Sequence, residues 1–105
     1  LFNNGPNMVN NGVRYLTLGS NASIGSNGQR FGLNSGTVTG AGFTLTKVGN
    51  KDVWINSNVA VANIVVDGGV YGAQGNNALN SVTGTVTVNS GAVLSMYSLL
   101  PPILR

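Results

Sequence analysis

Cysteine and histidine are both missing from this 105-residue chain, and only seven side chains carry charge: Arg14, Arg30, Lys47, Lys51 and Arg105 against Asp52 and Asp67. Without histidine, no side chain titrates near neutral pH and no imidazole can bind a metal; without cysteine there is no thiolate nucleophile, zinc cluster or disulfide. Any carboxylate dyad would have to use both aspartates and could use nothing else. An enzyme is therefore not expected, nor are catalytic residues, a resident metal or a cofactor. The net charge of +3 and the isoelectric point near 9.8 owe as much to the scarcity of acids as to the bases. The five bases are scattered, whereas tracking phosphates needs a stripe of cations, so nucleic acid is not an expected partner.

Long apolar runs are lacking too: no stretch approaches the roughly 18 residues of a membrane helix, so no transmembrane segment is expected. The opening Leu1-Phe2-Asn3-Asn4-Gly5 has neither an initiator methionine nor the pattern of a signal peptide, which points to a processed chain or a piece of a longer one. The absence of cysteine leaves the redox compartment open. Helix formers are sparse as well. Gly or Asn interrupts nearly every window of ten, so no apolar stripe of helical period can persist.

What remains is apolar residues at 42%, sixteen glycines and sixteen asparagines, with a charged fraction of 7%. That fraction compares with about 25% in ordinary soluble domains, yet the hydrophobicity is too high for disorder. The length suits one domain. Alternation or β-branched enrichment predicts strands at Val13 to Leu18, Thr37 to Thr39, Phe43 to Lys47, Val53 to Ile55, Val59 to Val61, Ile64 to Val66, Val82 to Val88 and Ala92 to Met96. Turn formers separate them, among them Gly19-Ser20-Asn21, Ser26-Asn27-Gly28, Asn34-Ser35-Gly36, Gly49-Asn50, Asp67-Gly68-Gly69 and Asn89-Ser90-Gly91.

Self-similarity decides how such strands are arranged. Shifting Val66-Asp67-Gly68-Gly69-Val70 by 22 lays it on Val88-Asn89-Ser90-Gly91-Ala92, with Ile64 falling on Val86. Gly36-Thr37-Val38-Thr39 returns as Gly84-Thr85-Val86-Thr87, and Gly42-Phe43-Thr44-Leu45-Thr46 answers Gly91-Ala92-Val93-Leu94-Ser95. With Gly42, Gly69 and Gly91 as equivalent corners, the spacings are 27 and 22, which are solenoid coil lengths. Each coil would stack parallel strands on the next about 4.8 Å away. Inward positions then form aliphatic columns, with Val38, Val66 or Ile64, and Val86 as one expected column. Outward positions take Thr, Ser and Asn, which can hydrogen-bond up the stack where like charges would repel.

The segments Gly40 to Gly49, Val53-Trp54-Ile55, Val61 to Gly69 and Gly84 to Leu94 resemble the autotransporter-associated β-strand repeat of bacterial passenger domains, and Asn77-Ala78-Leu79 resembles a small loop such repeats carry. The resemblance spans Val13 to Met96 and is clearest from Gly40 onward. It implies an all-β, right-handed parallel β-helix (β-solenoid) of roughly four coils of about 22–27 residues. Coils are expected over 1–98, with a weaker pattern in 1–35 and the clearest in 36–97, followed by a Pro-containing apolar tail or cap at 99–105. The implied role is a non-enzymatic stalk or display scaffold of an adhesin-like protein, extracellular or on the bacterial outer surface. The alternative is a subunit of an extracellular filament built by end-to-end stacking. The partners implied are adjacent coils or further copies at the open ends, and a host surface or glycan.

Three groups of residues invite sharper readings. The Thr-x-Thr units at 37–39, 44–46 and 85–87 could form an ice-binding array, but the first two fall on different faces, which favours ordinary outward threonines. Asp67 shares its corner with Asn89 and reads as a turn residue, and Asp52 beside Lys51 as a solvated loop charge, against a catalytic or calcium-binding pair. Trp54 with Tyr71 and Tyr97 could form a sugar-stacking platform, against the plainer reading of packing. Asn21-Ala22-Ser23 matches a glycosylation acceptor, a tripeptide too common to carry weight.

Overall fold

The computed structural model describes residues 1–3, 5, 14–75 and 77–96. Among these residues, eight strands and one short helix follow in the order β1 (Phe2–Asn3), β2 (Tyr15–Thr17), β3 (Ala22–Ser26), β4 (Phe31–Val48), β5 (Asp52–Val66), β6 (Val70–Ala73), α1 (Asn77–Asn80), β7 (Val86–Val88) and β8 (Val93–Met96). Every strand pairing is parallel and joins residues 18 to 23 apart in sequence. Parallel neighbours that close in sequence cannot be hairpins. The chain is a β-solenoid, winding through four tiers.

Each coil has three faces. β2 lies under Thr37 to Gly40 of β4, which lie under Asn58 to Val61 of β5. The second face stacks β3, Thr44 to Val48, Asn63 to Val66 and β7, with β1 beneath β3. The third stacks Phe31 to Asn34, Val53 to Asn56, β6 and β8. β4 and β5 thus turn two corners each without leaving the ladder. At those corners β4 holds extra residues, seen as register shifts between Asn34 and Thr37 and between Gly40 and Thr44. Gly36 and Gly42 absorb them with φ of 76° and 87°, a region costly to any residue bearing a Cβ.

The period-2 pattern sends alternate side chains inward. β5 shows it from Val53 to Val61, where Val53, Ile55, Ser57, Val59 and Val61 are buried, and the phase slips at the next corner before Ile64 and Val66. Stacked by register, the inward residues form columns: Leu16, Val38 and Val59; Leu45, Ile64 and Val86; Phe31, Val53, Tyr71 and Leu94; Leu33, Ile55, Ala73 and Met96.

Two expected equivalences need correction. Val38 does not share a column with Val66, Ile64 or Val86, because it stands on the first face and they stand on the second. The corner equivalent to Gly69 and Gly91 is Gly49, with φ of 85°, 63° and 85° along that series, so the spacings are 20 and 22. Gly42 turns a different corner, and the 27-residue spacing disappears with it. The offset of 22 between Val66 and Val88 stands, though past the turn Val70 pairs with Val93 and not Ala92.

Strand expectations also shift. β3, Phe31 to Asn34 and β6 are strands that the pattern left unassigned, and of Val82 to Val88 only the last three residues are strand. Asn77-Ala78-Leu79, expected as a loop, opens the single turn α1. The tail expected at 99–105, with Val13 and Tyr97, lies outside the described residues.

Candidate functional site

Three of the seven charged residues gather on the outer surface where the second face turns into the third. The pairing of Phe31 with Val53 places Gln29 and Arg30 one tier below Lys51 and Asp52. Arg30 Nη2 stands 3.6 Å from Asp52 Oδ2. The same oxygen accepts the Trp54 Nε1–H at 3.0 Å, because residues two apart on a strand share a side. Trp54 has Gly32 below and Gly72 above it in the ladder. Its indole fills the space where a Cβ on Gly72 would collide with Cε3 and Cδ2. The Arg30 guanidinium lies over the ring, 5.2 Å from its centroid, in the geometry of a cation–π contact. Gln29, Arg30, Lys51 and Asp52 line an open recess of about 360 Å³.

Asp52 is therefore no free loop charge: it opens β5 and takes part in a pair and a hydrogen bond. Asp67 behaves as expected, its Oδ1 accepting Asn89 Nδ2 at 2.9 Å one tier up. The two carboxylates hold different partners and form no shared acid–base arrangement in the described contacts. Tyr71 cannot join Trp54 in an aromatic platform: it points into the core, fully buried, and its hydroxyl donates to Ala78 O at 3.1 Å. Burial alone raises its pKa above the ordinary value.

The threonines require a finer account. Thr37 to Thr39 and Thr44 to Thr46 do lie on different faces, but Thr85 to Thr87 stacks on the second face above Thr44 to Thr46, with Asn63 to Val65 between them. Asn63 stitches the column: its Nδ2 donates to Thr44 Oγ1 at 3.3 Å, and its Oδ1 accepts Thr85 N at 2.9 Å and Thr85 Oγ1 at 3.2 Å. Asn21 Oδ1 continues it downward by accepting Thr44 N at 2.9 Å. These hydroxyls serve the stack itself, and Val65 interrupts the neighbouring column of Ser23, Thr46 and Thr87.

One group went unforeseen. Lys47 stands between Ile24 and Val66 in an inward column and is fully buried. Its Nζ donates to Val48 O at 2.7 Å, Gly68 O at 2.9 Å and Gly49 O at 3.4 Å, carbonyls of two successive corners. Desolvation lowers its pKa, and the nearby Asp52 charge opposes that shift. The signal available in sequence was its place in Thr44-Leu45-Thr46-Lys47-Val48, two residues beyond the inward Leu45.

Comparison with family models, curated proteins and solved structures gives no match to this chain. What the arrangement can do therefore rests on its own geometry. Among the described residues no helix is long and apolar enough to cross a membrane.

Proposed function

We propose that the chain is a non-enzymatic structural segment, a rigid β-solenoid scaffold within a bacterial secreted or cell-surface protein of the autotransporter, adhesin-like type. The observation that carries this reading is the side-chain stitching between tiers. Asn21, Thr44, Asn63 and Thr85 bond in sequence up one corner, and Asn27 with Asn50 and Asp67 with Asn89 bond at another. Residues spent on holding coil to coil are the mark of a stack selected for stiffness, and buried apolar columns run beneath them. The sequence resemblance to passenger-domain repeats supplies the setting.

The test is antibody labelling of intact cells that make the whole protein, coupled to imaging of its shape. Surface labelling of a rod carrying this segment supports the proposal. Labelling only after permeabilisation, or a segment lying within a compact enzyme, overturns it.

A second reading, a homopolymeric filament subunit, is favoured by the last described tier. Val88 and Met96 continue inward columns there, yet remain 43% and 49% exposed. Low charge removes repulsion between stacked copies. Sedimentation of the isolated chain decides: concentration-dependent oligomers support the filament, and a clean monomer at high concentration rejects it.

A further inference from the structure

The recess between Gln29, Arg30, Lys51 and Asp52 is an open, polar hollow of about 360 Å³ that carries two cations against one anion. Its parts are already positioned. Arg30 lies against the indole on one side and Asp52 on the other, which places its planar donor fork at the recess. The ammonium of Lys51 has no side-chain partner among the described residues. Asp52 and the Gln29 amide add hydroxyl-binding groups beside the cations. Trp54 cannot offer a stacking face here, since Arg30 covers one side of the ring and Gly72 backs it, and it is absent from the lining. Recognition in this recess must then work through charge and hydrogen bonds, which disfavours a neutral sugar.

We propose that this recess binds a uronate residue of an acidic polysaccharide. The carboxylate lies against Lys51 and Arg30, in the charge-assisted geometry that guanidinium and ammonium groups favour. The ring hydroxyls lie against Asp52 and Gln29. The recess is open and spans two tiers of the outer surface, so a polymer can pass across it without being threaded. This inference does not depend on the scaffold reading, because a stalk and a filament present the same recess.

Trp54 is the only tryptophan in the chain and touches both Arg30 and Asp52, so its emission reports occupancy. Titration with an oligogalacturonate should change that emission saturably, and the response should weaken with added salt. Lys51→Gln, at an exposed site, should weaken binding by about tenfold, the loss of one hydrogen bond to a charged group. Its melting curve controls for folding, and Arg14→Gln, on another face, should bind as the parent does. A neutral oligogalactose of the same length should leave the emission unchanged. The proposal fails if no saturable change occurs, if the neutral oligomer responds equally, or if Lys51→Gln has no effect. It also fails if acetate at the same carboxylate concentration matches the oligomer, for then only a free anion is read.

Discussion

Lys47 stands where the column pattern reserves room for an aliphatic side chain, and its reason is the corner carbonyls it satisfies. Its lowered pKa and the raised pKa of Tyr71 act on stability with opposite signs. Between the folded value of Lys47 and its ordinary 10.5, the unfolded chain binds more protons, so stability rises with pH across that interval. Above the ordinary tyrosine value of 10.0, the unfolded phenol ionises while the buried one does not, so stability falls. Denaturant midpoints measured against pH should therefore climb on the alkaline side and then drop. Lys47→Met should abolish the climb and cost about 1–3 kcal/mol at neutral pH, because its carbonyl acceptors lose their donor; Tyr71→Phe should remove the drop. An unchanged climb in Lys47→Met would show that another group causes it. At Gly72 the expected effect is steric. Gly72→Ala should displace the indole, shift Trp54 emission to the red and destabilise by about 1–3 kcal/mol, and an unshifted spectrum would contradict the packing described.

At the scale of elements, α1 is where the regular winding gives way. After β6 the chain does not lay a fourth strand on the first face; Ala78, Leu79 and Val82 pack inward instead, at 0%, 3% and 3% exposure. The ladder resumes when Thr83 N and Gly84 N donate to Val61 O and Ala62 O at 3.1 and 2.6 Å. The turn is a plug for the aliphatic interior, tied down by Tyr71. Leu79→Ala should therefore cost about 2–5 kcal/mol, the usual range for a buried leucine. Hydrogen exchange should localise the loss to α1 and the 83–84 rejoining before β4 and β5 respond. Equal loosening of all tiers would argue that α1 is not a separable plug.

The whole molecule measures 33 × 29 × 28 Å, nearly equal in all three directions, and each tier adds only about 4.8 Å along the axis. This chain is no longer than it is wide, so reach along the axis comes only from adding coils. Leu45 pairs with Ile64 and Thr44 with Asn63, which makes 45–63 one complete coil in register. A tandem duplication of 45–63 should fold, add one tier of about 4.8 Å and raise the denaturant midpoint, since each tier adds an interface. Scattering and chemical denaturation check this. A duplication that misfolds while Leu79→Ala still folds would show that the coils are not interchangeable units.

Composition and alternation determined a great deal without any coordinates. Few charges, many Asn, Gly, Ser and Thr, and repeated β-branched pairs specify strands that stack, because a stack tolerates polar neutral columns and rejects like charges. The 22-residue offset from Val66 to Val88 was legible because one turn and both its flanking strands recur together. What sequence could not deliver was the face and tier of each strand. Alternation separates inward from outward but is blind to which face a strand occupies, so Thr37-Val38-Thr39 and Thr85-Val86-Thr87 look identical while standing on different sides. Corner lengths vary, with β4 holding residues that β5 omits, so coils range from 18 to 23 residues and no single shift aligns them all. The same offset of 22 laid over Gln29-Arg30-Phe31-Gly32-Leu33 would have brought Arg30 to Asp52 and a glycine to Trp54. Only the tertiary structure decided that these residues meet, because their contact depends on the lengths of corners between them and not on any local pattern.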